Sequence, residues 1–279
     1  MKTITSRQNA LYKRVRRAID EHAGEIVIEG PKAVADATAA GWKPIAVIES
    51  DDVAPALSRR SLEDPQSSSE FLGVPRPPTE EPGNRRNRGT RLDGTPAESR
   101  LHVTIADAKL FDSLAETKTS QGVIGLFERP ASTDIFADRD RVVVALDAVQ
   151  DPGNVGTIVR LAAAFDAGGV VLLPGCADAY SPKAIRASVG AILNVPIVNM
   201  LTNDLIARGW PLFAADAAGM PIDPPGRGAV LLFGNEGSGV SADLRAHSTP
   251  IAIPMSSRVE SLNVAASAAI LLARSYALR

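Results

Sequence analysis

Three short segments of this chain gather polar side chains among glycines and small residues, a combination suited to holding a ligand. The first, Asp147-Ala-Val-Gln-Asp-Pro-Gly-Asn-Val-Gly156, runs into a helical pattern that contains Arg160. Pro152-Gly153 makes a tight turn, and Asn154 is placed to cap the helix that follows. Ile158, Ala162 and Phe165 recur at helical spacing and face a core. Arg160 lies about 200° around from Ile158, at ~100° per residue, and so faces away from that core. The second segment, Leu231-Leu-Phe-Gly-Asn-Glu-Gly-Ser-Gly239, opens a β-run into a loop where Gly234, Gly237 and Gly239 let backbone approach a ligand closely. Its spacing is neither that of a P-loop nor that of the dinucleotide fingerprint. Glu236 carries a charge that must find a donor there. The third, Ile253-Pro-Met-Ser-Ser-Arg-Val-Glu-Ser-Leu-Asn-Val264, leads into the last helix. Ser261 or Asn263 can cap that helix, whose free N–H groups offer a site for an anion or carboxylate. Singly, each has a plain reading: an exposed arginine, a hairpin turn, an ordinary cap. Together, at strand ends, they argue for a site.

The elements that position these loops follow from periodicity. Strands are expected at Val142–Leu146, Val170–Leu173, Leu212–Ala215, Val230–Phe233 and Ile251–Ile253, with helices between them and a last, Ala-rich helix from about Leu262 to Ala277. This alternation predicts an α/β fold with a mostly parallel sheet covered on both faces, whose ligands sit beyond the carboxyl ends of the strands. The front half alternates more weakly. Strands are expected at Ile26–Ile28, Ile45–Ile48, near His102–Ile105 and at Val123–Phe127, with helices at Pro31–Ala40 and near Asp107–Ala115. Between its two parts, residues 59–100 hold six prolines and few large apolar side chains, which reads as a disordered insertion. Its cluster Arg85, Arg86, Arg88 and Arg91 admits both an RNA contact and a solubilising loop.

Composition sets the outer limits. The 279 residues are 45% hydrophobic, which excludes a wholly disordered chain, and 30 Lys+Arg against 32 Asp+Glu exclude a histone-like polycation. A single cysteine, Cys176, excludes an internal disulfide framework, and His22, His102 and His247 are too scattered for a metal cluster. Without an apolar leader or a run of ~18 apolar residues, the expectation is a soluble protein of a reducing compartment, most simply a bacterial cytoplasm, with no membrane partner. The charge is unevenly spread. Lys2, Arg7, Lys13, Arg14, Arg16 and Arg17 give the first 17 residues a charge of +6 with no acid, which reads as either a solvated helix face or a nucleic-acid anchor. As a separate anchoring arm, residues 1–17 could be deleted without disturbing ligand binding elsewhere.

The segments DAVQDPGNVGTIVR, LLFGNEGSGV and IPMSSRVESLNVAASAAILL resemble, in order and wording, the three signature motifs of TrmH/SpoU-type RNA ribose methyltransferases of the SPOUT class. VIEGPKAVADATAAGW and TKTSQGVIGL are similar to the substrate-binding domain that precedes the catalytic domain in ribosomal-RNA members; the 59–100 insertion departs from that pattern. The resemblance implies a small N-terminal α/β RNA-binding domain over 1–130 and a catalytic domain over 138–279 with a deep trefoil knot. It further implies a homodimer with its site at the subunit interface, and methyl transfer from S-adenosylmethionine to a ribose 2′-hydroxyl. Loops around Gly234, Ile253 and Leu262, with Ala215 at another strand end, would hold the cofactor's adenosine, and no metal is implied. Arg160 would face the RNA and the partner subunit, with Asn154, Glu236, Ser261 and Asn263 fixing Arg160 and the loops. Family mechanisms sometimes make this arginine the base. A guanidinium with a pKa above ~12 is a poor one, so orienting the ribose or phosphate and stabilising a developing alkoxide is the better role. Large-subunit ribosomal RNA is the favoured substrate; transfer RNA, or a non-catalytic RNA-binding relative, are the alternatives. An oxidoreductase on an ordinary doubly wound sheet lacks its fingerprint.

Overall fold

The run Val142–Leu146 has no polar residue for either face of a sheet, which is the signature of a central parallel strand covered by helices on both sides. In the computed structural model, which describes residues 2–21, 24–53, 103–117, 120–131 and 133–279, it forms β6, Val143–Asp147, buried along its whole length. The 59–100 insertion and its arginines, with His22 and His102, lie outside the described residues. The chain divides into two compact units: Met1–Arg16 with Ile28–Glu128, and Arg17–Val27 with Arg129–Arg279.

The second unit holds a six-stranded sheet built on β6, with β7 (Gly169–Leu172), β8 (Ile197–Asn199), β9 (Leu212–Met220), β10 (Val230–Gly234) and β11 (Thr249–Ile251). Its order is β11-β9-β10-β6-β7-β8, and every pairing is parallel. Successive strands run outward from β6 on one side, while β10 sits on its other side. The strand order therefore reverses between β6 and β10, where the register sets Gly234 opposite Asp147. That is the switch point at which α/β sheets open a crevice at their carboxyl edge. β9 runs longer than expected. Its pairing with β10 ends at Ala214, and its register with β11 jumps from Pro250↔Ala214 to Ile251↔Met220. The intervening residues Ala215–Gly219 leave the ladder, as a bulge does, and open a space beside the loops. On one face Ile135, Phe136, Val143, Val171, Leu205, Trp210, Leu212 and Val230 form a core. Each fully buried large apolar side chain there contributes ~1.5–3 kcal/mol.

Helices α4 (Pro152–Ala164), α5 (Pro182–Ser188), α6 (Thr202–Ala207), α7 (Ala242–Ala246) and α8 (Val264–Ala277) complete this unit. Ile158 and Ala162 are buried in α4 as the spacing requires, and Arg160 is exposed. The expected cap is corrected. Asp151, not Asn154, caps α4, its carboxylate accepting from Asn154 N at 3.3 Å, because Pro152 occupies the first helical position. Asn154 is thus inside the helix, its own side chain free for other work. α8 is capped by Asn263, whose Oδ1 accepts from Ala265 N (2.9 Å) and Ala266 N (3.3 Å); Ser261 takes no part.

In the other unit the strands β1 (Lys2–Ile4), β2 (Glu25–Glu29), β3 (Pro44–Ser50), β4 (Val103–Ala106) and β5 (Val123–Glu128) are ordered β1-β4-β3-β5-β2, and the unit boundary runs through α1 (Ala10–Glu21) and β2. α2 (Pro31–Ala39) and α3 (Ala108–Asp112) are the other helices among its described residues. Residues 1–17 are not a detachable arm. Lys2–Ile4 pairs in parallel with β4, Ile4 and Val15 are fully buried, and the Tyr12 hydroxyl lies 2.8 Å from Ser113 Oγ. Tyr12, Val15, Ala18 and Ile19 form the buried stripe of α1, leaving Lys13, Arg14, Arg16 and Arg17 on its exposed side. Among the described residues no helix is long and apolar enough to cross a membrane, and no group of side chains could hold a metal ion.

Candidate active site

At the switch point, backbone does most of the shaping. A Cβ on Gly234 would sit 2.1 Å from the carbonyl carbon of Gly239, so the glycine loop folds back on its own strand end as only glycine allows. Asn235 and Gly239 exchange backbone hydrogen bonds of 3.1 and 2.9 Å across that fold. The loop forms one wall of a cavity of about 330 Å³. Ala215 and Asp216 line it where β9 leaves the ladder, and Ile253, Ser261 and Leu262 close it from the third segment. All four positions assigned to the cofactor, Ala215, Gly234, Ile253 and Leu262, therefore meet in one half-buried cavity.

A chain of side chains joins the three segments. Asn154 Nδ2 donates to Glu236 Oε1 at 2.7 Å, and Asn263 Nδ2 donates to Asn154 Oδ1 at 3.3 Å. The donor that Glu236 needs is thus the amide freed by the Asp151 cap. Asn263 serves twice, its oxygen capping α8 and its nitrogen holding Asn154. Ser261 lines the cavity without joining this chain. Arg160 stands apart: its side chain is exposed and makes no hydrogen bond or ion pair with the described residues.

Several participants escaped the motif reading. Asn235 Nδ2 donates to Ala148 O at 3.0 Å, while its Oδ1 accepts from Gly237 N (2.9 Å) and Ser238 N (3.2 Å), tying the glycine loop to the end of β6. Ala148 itself has φ 54°, a left-handed conformation that alanine adopts only at a cost. Asp147, buried, accepts from Ser241 N at 2.7 Å behind the loop. Lys183 pairs with Asp151, and its hydrogen bond holds that carboxyl below the usual range. On the cavity wall Arg245 lies 3.5 Å from Asp216. Asp147, Ala148, Asp151 and Asn235 lie inside the quoted segments, which was the signal available for them; Lys183, Asp216, Ser241 and Arg245 lie outside those segments.

A cavity at a parallel-sheet switch point, walled by glycine backbone and rimmed by polar side chains, defines an α/β domain built to bind a nucleoside-like ligand. Comparison with known proteins narrows the class. The model of the SpoU rRNA Methylase family matches residues 141–273. A Bacillus subtilis (strain 168) protein named 23S rRNA (guanosine(2553)-2′-O)-methyltransferase RlmP is 36% identical over 183 residues, which are 63% of this chain and 73% of that one. The human protein named rRNA methyltransferase 3, mitochondrial, is 32% identical over 139 residues, but the match spans only 32% of its length. The crystal structure of an AdoMet-bound rRNA methyltransferase from Sinorhizobium meliloti superposes with a TM-score of 0.74 at 25% identity, covering 98% of this chain and 97% of that one. The chain belongs to the SpoU rRNA methylase family.

Proposed function

We propose that this protein transfers a methyl group from S-adenosylmethionine to a ribose 2′-hydroxyl of RNA, with large-subunit ribosomal RNA as substrate. The observation that carries the reading is the hydrogen-bonded chain Glu236–Asn154–Asn263, which joins the three segments at the cavity of about 330 Å³ that Glu236 lines. The naming of the Bacillus relative and the ligand of the Sinorhizobium structure support the same reading. The residues fit the cofactor. Backbone carbonyls of the glycine loop at 236–238 suit the exocyclic amine of an adenine, and the carboxylates of Asp216, Glu236 and Glu260 around the cavity suit a ligand bearing sulfonium and ammonium charges.

When bound, S-adenosylmethionine supplies an electrophilic methyl group on a sulfonium. The protein's task is to place a ribose oxygen in line with it and to stabilise charge as the 2′ proton leaves. Arg160, exposed and without an ion pair among the described residues, holds the ribose or the adjacent phosphate and stabilises the developing alkoxide. Glu236, Asn154 and Asn263 keep the glycine loop, α4 and α8 in register, and Arg160 is carried on α4. Ser261 lines the cofactor's side. Exposure of Arg160, Glu236 and Asn263 supports a second copy completing the site, and exposed Ile270, Tyr276 and Leu278 on and after α8 offer that copy an apolar contact. The protein works as a homodimer in the bacterial cytoplasm. A trefoil knot is supported by the stitching of the chain end to the β9–β10 connection, where Ser275 Oγ donates to Pro225 O at 2.6 Å and the Cβ position of Gly226 lies 2.5 Å from Leu278 O.

Mapping 2′-O-methylation in ribosomal and transfer RNA from cells with and without the protein tests the reading. One ribosomal position is expected to lose its methyl group. Loss at a transfer RNA position would overturn the substrate, and no loss in either would overturn the activity.

A further inference from the structure

A second cavity, of about 870 Å³, opens at the carboxyl ends of β7 and β8 and takes no part in the mechanism above. Leu173, Val198 and Met200 make its apolar floor, and Asn199, Asp204 and Arg208 stand around it. Leu201, also in its lining, is 63% exposed and adds apolar surface at the rim. Asn199 and Asp204 are exposed, and neither side chain makes a hydrogen bond or ion pair with the described residues. Arg208 is held in place, its guanidinium 5.0 Å above the Phe136 ring and 3.5 Å from Asp134.

This cavity is tied to the first along the same edge of the sheet. Ala177 N donates to Val149 O at 2.9 Å, and the Cys176 thiol lies 3.2 Å from Leu146 O. Leu146 lies at the end of β6 and Val149 just after it, next to Ala148, whose carbonyl is held by Asn235 of the glycine loop. A strand of RNA laid along the carboxyl edge would pass from one cavity to the other.

The lining selects its occupant. One acid and one arginine balance, so the cavity does not attract a phosphate, and a single carboxylate is too few for a divalent cation. An apolar floor with a carboxamide and a carboxylate at its edge matches a nucleobase, which has flat apolar faces and donors and acceptors along its rim. Asn offers both a donor and an acceptor to such an edge, and Asp accepts from exocyclic amines. Sequence-specific RNA recognition characteristically acts on bases splayed out of the stack. We infer that this cavity takes the base of an unstacked RNA nucleotide flanking the methylated one, read by Asn199 and Asp204. The inference rests on the RNA methyltransferase reading and makes β8 and α6 the specificity element of the same edge.

Cys176, the single cysteine of the chain, lines the cavity and reports on it. Alkylation of the full-length protein by iodoacetamide, with and without deproteinised ribosomal RNA from cells lacking the protein, measures occupancy. Burial pushes the thiol's pKa up, so the reaction is followed at alkaline pH. RNA is expected to slow alkylation of the wild type, and less so of Asn199→Ala. In methyl transfer to the same RNA, Asn199→Ala and Asp204→Ala are each expected to raise KM for RNA about 5- to 100-fold, the worth of a lost base-edge contact, with cofactor affinity unchanged. An alkylation rate indifferent to RNA, or an unchanged KM in both variants, would overturn the inference. If the wild type transfers no methyl group to this RNA, the activity reading fails instead, and the protection of Cys176 still decides whether the cavity holds RNA.

Discussion

Arg160 and Asp151 sit on the same helix and do opposite kinds of work. Arg160 is exposed and unpaired among the described residues, so its charge is available to a substrate. Replacing it by Ala is expected to lower kcat by about 10²–10³, the range for losing one charge-stabilising donor, while cofactor affinity measured by titration stays unchanged. Arg160→Lys should recover little, because an ammonium lacks the planar fork; near-normal turnover would remove the positioning role. Asp151 acts on the helix itself. Asp151→Ala should cost about 1 kcal/mol through loss of the cap, read as a fall of roughly 2–4 °C in Tm. Its carboxyl is held below the usual range chiefly by the hydrogen bond from Lys183. A depressed folded pKa stabilises above the unfolded value and ceases to as pH falls through the folded one. The Tm advantage of the wild type over Lys183→Met should therefore be full at pH 7, begin to fall below about pH 4, the unfolded carboxyl's value, and vanish only once pH has dropped through the lower folded value.

Two contacts decide how elements meet around the site. α4 and α5 cross at Gly156, where a Cβ would lie 2.2 Å from the Ala184 carbonyl oxygen. Gly156→Ala must push the helices apart, at about 1–3 kcal/mol for overpacking, and thermal melts with methyl-transfer assays should show stability and activity falling together. The glycine loop and the end of β6 meet through Asn235, whose oxygen orders the loop and whose nitrogen holds Ala148. Asn235→Asp keeps the acceptor and loses the donor. It should leave cofactor affinity nearly intact and lower kcat about 3- to 10-fold, the worth of one net hydrogen bond. Asn235→Ala loses both, and should weaken cofactor binding as well. Equal effects of the two variants on affinity would mean that the loop-ordering bonds accepted by the Asn235 oxygen carry nothing. Element by element, the long periodic segments were legible in the residues. β1 and β8 were not, and β11 at Thr249–Ile251 starts two residues before the strand expected at Ile251–Ile253, because strands of three residues are too short to carry a period.

At the scale of the whole molecule, near-neutral net charge conceals an uneven distribution. Lys13, Arg14, Arg16 and Arg17 lie on the exposed side of α1, whose other side is core, with Lys2 in β1 and Arg7 between the two, so deleting residues 1–17 would remove the edge strand β1 and buried Ile4, Tyr12 and Val15 together with the charge. Exchange of Arg7 and Lys13 for Gln separates the two effects. If both meet phosphates, the slope of log K against log salt for RNA should flatten by ~1–2, with Tm unchanged. An unchanged slope would place the RNA elsewhere.

By itself the sequence determined the parallel α/β class, the three loops at strand ends and the family they belong to, because periodicity, glycine and charge are local properties written in residue order. It also determined that Arg160 turns from its core, since that follows from helical geometry alone. What only the tertiary structure decided is which polar groups meet. Asn154 proved to be Glu236's donor rather than a cap, because Pro152 moves the cap to Asp151. Asn235 proved to couple the loops, and a second cavity opened beside β8, because both depend on strands brought side by side from distant parts of the chain. The basic start of the chain became part of a domain for the same reason: burial is a property of what packs against a residue, and no single segment contains that information.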